Sequence, residues 1–284
     1  MRLAASLTGP AGAPVLVLGN SLGTTRELWQ PQLAALGARF RLLRYEHRGH
    51  GGSPAPPGPY ALADLGGDVL RLLDEFEVES ASYCGVSLGG MLGMWLAANA
   101  PSRIRALALC CTSAYLPPVQ MWTDRAALVR SAGMASLAPQ VVGRWFTPPF
   151  ASRQPAIVAG FVTTMQEQVV PEGYAGCCEA IAAMDLRPAL ASVTAPTWPA
   201  SACGGGSSTR SWCTSCRCCS ATASASRPRA CRGRTWNRSA ACGREPSPSS
   251  GSASANKWSG FPVPASVRYP AASVRLASFA GCRP

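Results

Sequence analysis

The segment Cys84–Gly90, with the sequence CGVSLGG, most constrains the fold of this chain. Ala81–Cys84 is typical of a short buried strand, and Met91–Ala98 is typical of an apolar helix. Ser87 therefore lies where a strand turns sharply into a helix. A serine in such a turn presents its hydroxyl at the edge of a sheet, where it can act as a nucleophile.

Such a turn brings the strand and helix backbones so close that the residues two before and two after the serine must be small. Gly85 and Gly89 meet this requirement, and Gly90 adds a third small residue for close packing. The turn also aims the amide of Leu88 at the same point as the serine. The G-x-S-x-G pattern alone also occurs in ordinary turns, but the flanking strand and helix favour a nucleophile elbow.

Strand-like and helix-like runs alternate over the first 111 residues at the spacing of βαβ units. These runs are Val15–Gly19, Glu27–Leu36, Phe40–Tyr45, Ala61–Phe76, Ala81–Cys84, Leu88–Asn99 and Ile104–Cys111. This alternation predicts an α/β fold whose mostly parallel sheet has helices on both faces. The polar loops Gly19–Gly23 and His47–Pro54 follow the first two strands of this pattern, at the working edge of such a sheet.

From Leu116 to Asp185 the strands stop and helical runs take over. These runs are Trp122–Ser131, Ala138–Trp145, Ala156–Gln168 and Tyr174–Met184. An all-helical insertion after a strand of an α/β sheet predicts a cap over the active site. We therefore expect a first core part at 1–115, a helical cap at 116–185 and a return to the core at 186–197.

The composition changes abruptly after Thr197. Up to that residue 14 arginines face 13 acidic residues, whereas 12 Lys and Arg and a single acid, Glu245, lie in the remaining 87 residues. The same stretch holds 8 of the 13 cysteines and no Asp or His. Ser, Gly, Ala and Pro dominate it and its apolar residues lack periodicity, so we interpret 198–284 as an aberrant, disordered tail.

The tail could have two other roles. Cys213, Cys216, Cys218 and Cys219 could bind zinc, but no histidine and no second C-x-x-C pair follows them. The arginines could contact nucleic-acid phosphates, but no recognisable helix or aromatic platform accompanies them. We expect neither a metal nor a nucleic-acid partner.

Cellular location follows from the apolar runs near the start of the chain. Met1–Leu7 lacks the apolar run of a signal peptide, and Val15–Leu18 is too short to span a membrane. A cytoplasmic protein without membrane contact is the expectation. The adjacent pairs Cys110–Cys111 and Cys177–Cys178 lie in apolar surroundings, which predicts buried thiols rather than disulfides.

Four segments resemble the α/β-hydrolase superfamily and, within it, the 3-oxoadipate enol-lactonase family of aromatic-acid breakdown. They are Leu18–Thr25, Arg44–Gly51, Cys84–Trp95 and Gly173–Cys178. The resemblance covers about residues 1–197 and then stops. It implies the α/β-hydrolase fold, a small lactone or ester as substrate, and no cofactor.

The resemblance also implies roles for particular residues. Ser87 would attack the lactone carbonyl to give an acyl-enzyme and an enol that tautomerises, and water would then release 3-oxoadipate. The backbone amides of Leu22 and Leu88 would bind the oxyanion. Asn20–Gly23, which contains Leu22, could instead be an ordinary polar turn.

The enol-lactone carries an acetate arm, which calls for a cationic or hydrogen-bonding partner beneath the cap. Trp122, Arg125 and Trp145 are the candidates for this substrate-binding role. Each has an ordinary alternative, since aromatic residues at helical spacing often belong to a core and single arginines are often solvated.

The chain lacks an obvious triad acid and base. In the resembling family both follow later strands, in the order Ser, acid, His, whereas His47 and His50 are the only histidines here and lie in an early loop that shapes the pocket entrance. Asp124 and Asp185 lie in the cap or at its exit and cannot stand in for the triad acid without unusual geometry. A shifted reading frame near codon 197 of a GC-rich gene explains the tail and the missing residues together.

Two classes of function follow. The first is an enol-lactone hydrolase damaged after Thr197 and inactive for lack of a base; the second is a non-catalytic ligand-binding protein. Within the first class, a haloperoxidase-like esterase or a C–C bond hydrolase stays open. Ser87 argues against haloalkane dehalogenases and epoxide hydrolases, which use aspartate at that position. The sequence fixes neither the exact substrate nor the oligomeric state.

Overall fold

A computed structural model describes residues 1–200 of the 284-residue chain. The tail expected at 198–284, with its cysteines and arginines, lies outside the described residues apart from its first three positions. Six strands form one sheet: β1 (Ala5–Thr8), β2 (Val15–Gly19), β3 (Arg41–Tyr45), β4 (Ala81–Val86), β5 (Ile104–Cys110) and β6 (Thr197–Ala200).

The strands lie in the order β1-β3-β2-β4-β5-β6. β1 pairs antiparallel with β3, and every other pair is parallel. The sheet is thus mostly parallel and has helices on both faces, which confirms the predicted α/β fold. The carboxyl ends of β2 and β4, its two central neighbours, meet at one edge, with Gly19 opposite Gly85.

Eight α-helices accompany the sheet within residues 1–200. They are α1 (Leu33–Gly37), α2 (Leu62–Glu75), α3 (Leu88–Asn99), α4 (Val119–Ala132), α5 (Ala138–Val142), α6 (Pro148–Arg153), α7 (Pro155–Gln168) and α8 (Pro171–Ala183). Short 3-10 helices lie at Arg26–Gln32, Pro101–Arg103, Met134–Ser136 and Pro188–Ser192.

Apolar side chains cover both faces of the central strands, because helices pack on each face. In β2, Val17 belongs to a large core on one face and Leu18 to a smaller core on the other, and both are fully buried. The smaller core includes Trp29 and Leu36, which come from the segment before β3. This two-sided burial accounts for the continuous apolar sequence VLVLG of β2.

The helices α4–α8 lie between β5 and β6 and are called here the helical segment. α4 packs along α8, and the guanidinium of Arg130 on α4 forms ion pairs with Glu172 and Glu179 on α8, the first at 2.8 Å. The carboxylate of Glu172 also accepts the amide of Gly58 at 2.9 Å. The helical segment is thereby tied to the loop that precedes α2.

β6 continues past the point where the composition changes. Thr197 lies opposite Leu107, and the strand runs on through Trp198 to Ala200. Three residues of the stretch assigned to the tail therefore pair with β5 in the sheet. Among the described residues, β6 forms one edge of the sheet, and the Trp198 side chain is 47% exposed.

The prediction that the two adjacent cysteine pairs are buried is only partly correct. Cys177 and Cys178 are buried in α8, as predicted, but Cys111 is exposed, so the prediction is wrong there. Cys111 follows the last residue of β5, where the chain leaves the sheet with a φ of 46° and turns the residue outward. No helix within residues 1–200 is long and apolar enough to cross a membrane.

Candidate active site

Ser87 lies between β4 and α3 in a left-handed backbone conformation, with φ 53° and ψ −115°. Its amide donates to the Cys110 carbonyl at 2.9 Å. Its own carbonyl accepts the Met91 amide at 3.0 Å and the Thr112 hydroxyl at 2.7 Å. The residue is therefore held on both sides, and its side chain is partly exposed at the carboxyl edge of the sheet.

The glycines on each side of Ser87 allow this close approach. A Cβ atom at Gly85 would lie 2.3 Å from the carbonyl carbon and oxygen of Gly89. A Cβ at Gly89 would lie 2.4 Å from the same atoms of Gly19. Any larger residue would push the elbow away from the neighbouring loop, which is the physical basis of the G-x-S-x-G requirement.

The two backbone amides that the resemblance assigns to the oxyanion have no acceptor among the described residues. Within residues 1–200, neither the amide of Leu22 nor that of Leu88 forms a hydrogen bond. The amide of Leu88 is the first of α3, where helix geometry supplies no partner. The next amide, that of Gly89, donates to the Asn20 carbonyl at 2.9 Å, so the loop that carries Leu22 is bonded directly to the elbow.

Both histidines are buried behind this loop. His47 Nε2 lies 2.9 Å from the Asn20 carbonyl, and His50 Nε2 accepts the Gly23 amide at 3.0 Å. Burial lowers the pKa of His47, and burial together with the neighbouring His47 lowers that of His50 to about 3. Neither imidazole is hydrogen-bonded to Ser87 among the described contacts, and the structural role expected for both rings stays a prediction.

Arg48, between the two histidines, anchors their loop to α2. Its guanidinium donates from Nε and Nη2 to the two carboxylate oxygens of Asp68, at 2.6 and 3.0 Å. Asp68 is almost fully buried in α2. A bidentate pair of this kind fixes both the distance and the orientation of the loop.

The three candidate substrate-binding residues lie in the helical segment. The indole N–H of Trp122 donates to the Leu116 carbonyl at 3.0 Å, and the Arg125 guanidinium lies 4.7 Å from the centre of the Trp122 ring. Trp145 packs edge-on against Phe161 instead. The structure thus brings Trp122 and Arg125 together and leaves Trp145 in a separate aromatic contact. No described hydrogen bond or ring contact joins any of the three to Ser87.

Sequence reasoning missed one residue near Arg125, Tyr174. Tyr174 on α8 is fully buried, and its ring lies 3.2 Å from where a Cβ at Gly23 would be. Among residues 1–200 its hydroxyl has no hydrogen-bond partner. Burial raises the pKa of Tyr174, and the nearby charge of Arg125 acts in the opposite direction. The only sequence signal was its place in the segment Gly173–Cys178.

The two aspartates of the helical segment and its exit are engaged elsewhere. Asp124 accepts a hydrogen bond from Gln120, and Asp185 pairs with Arg187 at 2.6 Å, which lowers the pKa of that carboxyl. Within the described residues no side chain is hydrogen-bonded to the Ser87 hydroxyl, and no cluster of ligands suits a metal ion. The sequence expectation that neither aspartate completes a triad stays a prediction.

Residues 14–174 match the α/β hydrolase fold family. The chain belongs to this family. This α/β hydrolase is 41% identical over 188 residues to 3-oxoadipate enol-lactonase 2 of Acinetobacter baylyi, a match covering 66% of the chain and 70% of that protein. It is 35% identical to 3-oxoadipate enol-lactonase 1 of the same organism, over 69% of the chain and 73% of that protein.

Solved structures agree with this assignment. The α/β hydrolase is 45% identical to a hydrolase from Pseudomonas aeruginosa PA01, with a TM-score of 0.68 over 71% of this chain and 76% of that one. It is 43% identical to the enol-lactonase from Burkholderia xenovorans LB400, also with a TM-score of 0.68, over 69% of this chain and 76% of that one. The esterase from Thermogutta terrifontis, at 24% identity, shares the fold.

Proposed function

We propose that this α/β hydrolase is built to cleave an enol-lactone, with Ser87 as the nucleophile. The observation that carries the proposal is the elbow, which holds Ser87 at φ 53°, next to the Leu88 amide in sequence and bonded through Gly89 to the loop that carries the Leu22 amide; among residues 1–200 neither amide has an acceptor. The similarity to two enol-lactonases of Acinetobacter baylyi supports the choice of substrate class.

The chemistry of acyl transfer fits these groups. Ser87 Oγ forms a bond to the lactone carbonyl carbon and passes its proton to water, while the carbonyl π bond opens and its oxygen becomes an oxyanion. The amides of Leu22 and Leu88 donate to that oxygen. When the tetrahedral intermediate collapses, the ring C–O bond breaks and the enol oxygen leaves with a proton taken from water, after which the enol tautomerises to the ketone. Water then attacks the acyl-enzyme, restores the Ser87 hydroxyl and releases 3-oxoadipate.

A binding site for the acetate arm is proposed at Arg125. Its guanidinium is held against Trp122, and it lies near the buried hydroxyl of Tyr174, whose ring packs against Gly23. Tyr174 thus connects the helical segment to the loop of Leu22. A carboxylate held there would be oriented by a cation and by a phenol hydroxyl, two groups that both donate hydrogen bonds.

The lack of a general base limits the rate at which Ser87 can attack a lactone. The chain contains no histidine other than His47 and His50, and the ring nitrogens that face Asn20 and Gly23 are already bonded. Loss of the base of a serine triad costs roughly a millionfold in turnover. We therefore propose that this polypeptide turns over lactone very slowly. The same observation favours the second candidate, a protein that binds the ligand without cleaving it.

Labelling with a fluorophosphonate separates the two candidates. The reagent forms a P–O bond with Ser87 as fluoride leaves and the serine proton passes to water. We expect slow, saturable labelling that mass spectrometry maps to Ser87 and that Ser87→Ala abolishes. Ser131→Ala is the matched control, because Ser131 is an exposed serine whose hydroxyl bonds within α4. Labelling that is equal at Ser87 and at exposed serines would favour the non-catalytic candidate.

The remaining sequence expectations are part of the same proposal. The helical segment acts as a cap over Ser87. The core is formed by residues 1–115 and 186–197, and the cap by residues 116–185. The reading frame shifts near codon 197, and the protein is cytoplasmic and acts on a small molecule.

A further inference from the structure

The loop that carries Leu22 is held from behind by two buried imidazoles. His50 Nε2 lies 3.0 Å from the Gly23 amide, and His50 Nδ1 lies 2.9 Å from the Arg48 carbonyl. An amide can only donate and a carbonyl can only accept. His50 must therefore be neutral, with its proton on Nδ1 and a lone pair on Nε2. The structure fixes one tautomer of this ring.

The other end of the loop is held at Asn20. His47 Nε2 donates to the Asn20 carbonyl, which also accepts the Gly89 amide, each at 2.9 Å. The Asn20 side chain donates to the Tyr45 carbonyl at 2.6 Å and accepts the Trp29 indole N–H at 3.1 Å. With Asn20 fixed on one side and Gly23 on the other, only Ser21 and Leu22 lie between the two anchors.

The hydrogen bonds at Asn20 and Gly23 also determine which backbone amide of the loop is free to bind a substrate oxygen. The Gly23 amide is occupied by His50, whereas the Leu22 amide, one residue earlier, has no acceptor within residues 1–200. Gly23 has a φ of 80°, and a Cβ there would lie 2.5 Å from the Met165 Cε atom, so the loop has little room to move toward the helical segment. The direction of the Leu22 N–H therefore depends on the hydrogen bond at Gly23.

We propose that His50 is a positioning residue of the oxyanion site: its Nε2 lone pair holds the Gly23 amide and so aims the Leu22 amide at the carbonyl oxygen of the substrate. The assignment rests on the proposed function, because it assumes that Leu22 and Leu88 bind the oxyanion. His50 itself touches neither the substrate nor Ser87.

His50 is also fixed to the helical segment. The Gly51 amide donates to the Gln168 carbonyl at 2.7 Å, and the Val170 amide donates to the Gly49 carbonyl at 2.8 Å. The backbone of His50 thus pairs with Val169, between α7 and α8. A displacement of these helices would be passed through His50 to Gly23. His47 is the titratable ring that faces His50, with 5.8 Å between ring centres.

Nuclear magnetic resonance on the soluble, isotope-labelled full chain tests the geometry without any activity. We expect His50 in the Nδ1–H tautomer, with a scalar coupling between its Nε2 and the Gly23 amide nitrogen through the hydrogen bond. An Nε2–H tautomer, or a Gly23 amide without that coupling, would overturn the assignment. This measurement stands even if Ser87 proves unreactive, in which case only the proposed function fails.

Variants test the consequence for Ser87. His50→Leu fills a similar volume but removes the acceptor, and His50→Gln restores an acceptor oxygen. Because small misplacements of catalytic groups cost up to roughly 100-fold, we expect His50→Leu to lower the limiting rate of fluorophosphonate labelling about 10- to 100-fold. The half-saturating concentration should change little, and His50→Gln should recover part of the rate.

The matched control is Tyr60→Phe, which removes a hydrogen bond between the Tyr60 hydroxyl and the Pro56 carbonyl outside this loop. We expect it to label at the wild-type rate. Wild-type labelling by His50→Leu, or equal slowing by Tyr60→Phe, would show that His50 contributes only general stability.

Discussion

At the scale of single residues, the strained backbone at Ser87 persists because its neighbours determine its position. A non-glycine residue at positive φ costs roughly 1–3 kcal/mol, and the hydrogen bonds to Cys110, Met91 and Thr112 hold Ser87 there. The sequence predicted this feature well, because glycine spacing, strand and helix all lie within about 20 residues of each other. It did not predict the role of Tyr174, whose contact with Gly23 joins residues far apart in the chain.

Gly89→Ala tests the steric argument. The added methyl group would meet the Gly19 backbone at 2.4 Å, and neither backbone segment can move freely. We expect the free energy of unfolding to fall by about 1–3 kcal/mol in a denaturant titration. Gly160→Ala in α7 is the control, because nothing lies within 4 Å of its Cβ position and alanine favours a helix by up to about 1 kcal/mol. Equal stability of the two variants would contradict the argument.

His50 predicts an acid-dependent loss of stability. Its pKa is lowered from 6.5 to about 3 by burial and by His47, so the unfolded chain takes up a proton first as the pH falls. The contribution of neutral His50 to the free energy of unfolding is therefore complete above pH 6.5. It is lost as the pH falls toward 3, at up to about 1.4 kcal/mol per pH unit. Burial raises the pKa of Glu46 to about 7, which acts in the opposite direction between pH 4.5 and 7.

The comparison of wild type with His50→Gln cancels the effect of Glu46, because both proteins contain it. We expect the stability advantage of the wild type to shrink as the pH falls below 6.5, measured by denaturant titration at each pH. An advantage that stays constant from pH 6.5 to 4 would show that His50 titrates normally in the folded protein.

At the scale of elements, the central strands and the long helices could be predicted and the marginal elements could not. β2 is buried on both faces, so its apolar run VLVLG is continuous, and β3 buries Leu42 and Leu43 between two arginines. β1 has four residues, three partly buried and one exposed, and pairs antiparallel at the edge, and α6 is a six-residue helix that starts with two prolines. Neither β1 nor α6 is long enough to show the periodic spacing of apolar residues from which a strand or helix is predicted. β6 was missed as a strand because its residues belong to the stretch where composition changes.

The contact between α4 and α8 yields a prediction at this scale. Arg130→Met removes the cation between Glu172 and Glu179 and leaves two carboxylates facing each other. Because all three groups are partly exposed, we expect a loss of only about 1 kcal/mol in the free energy of unfolding. Arg153→Met is the control, since the exposed Arg153 in α6 forms no ion pair among the described residues. A loss of the same size in the control would contradict the role of the network.

At the scale of the whole molecule, the fold is that of an α/β hydrolase while the chain lacks a histidine after His50. The matches to two enol-lactonases cover 70% and 73% of those proteins, so 30% and 27% of them have no counterpart in the matched part of this chain.

A frame-restored gene is the test at this scale. If the frame shifts near codon 197, another reading frame should encode an aspartate and a histidine at hydrolase spacing. Expression of that frame should raise lactone turnover by roughly a millionfold, measured by steady-state kinetics. A gene with neither residue in any frame would favour a protein that binds its ligand without cleaving it.

Added imidazole tests the central claim most directly, because it supplies the missing base in solution. After subtraction of the hydrolysis that imidazole catalyses without protein, turnover of 3-oxoadipate enol-lactone by the full chain should be very slow, should rise in proportion to imidazole concentration, and should lose that rise in Ser87→Ala. Rapid turnover without imidazole, or the same imidazole dependence in Ser87→Ala, would contradict the account of Ser87 as a nucleophile that lacks its base.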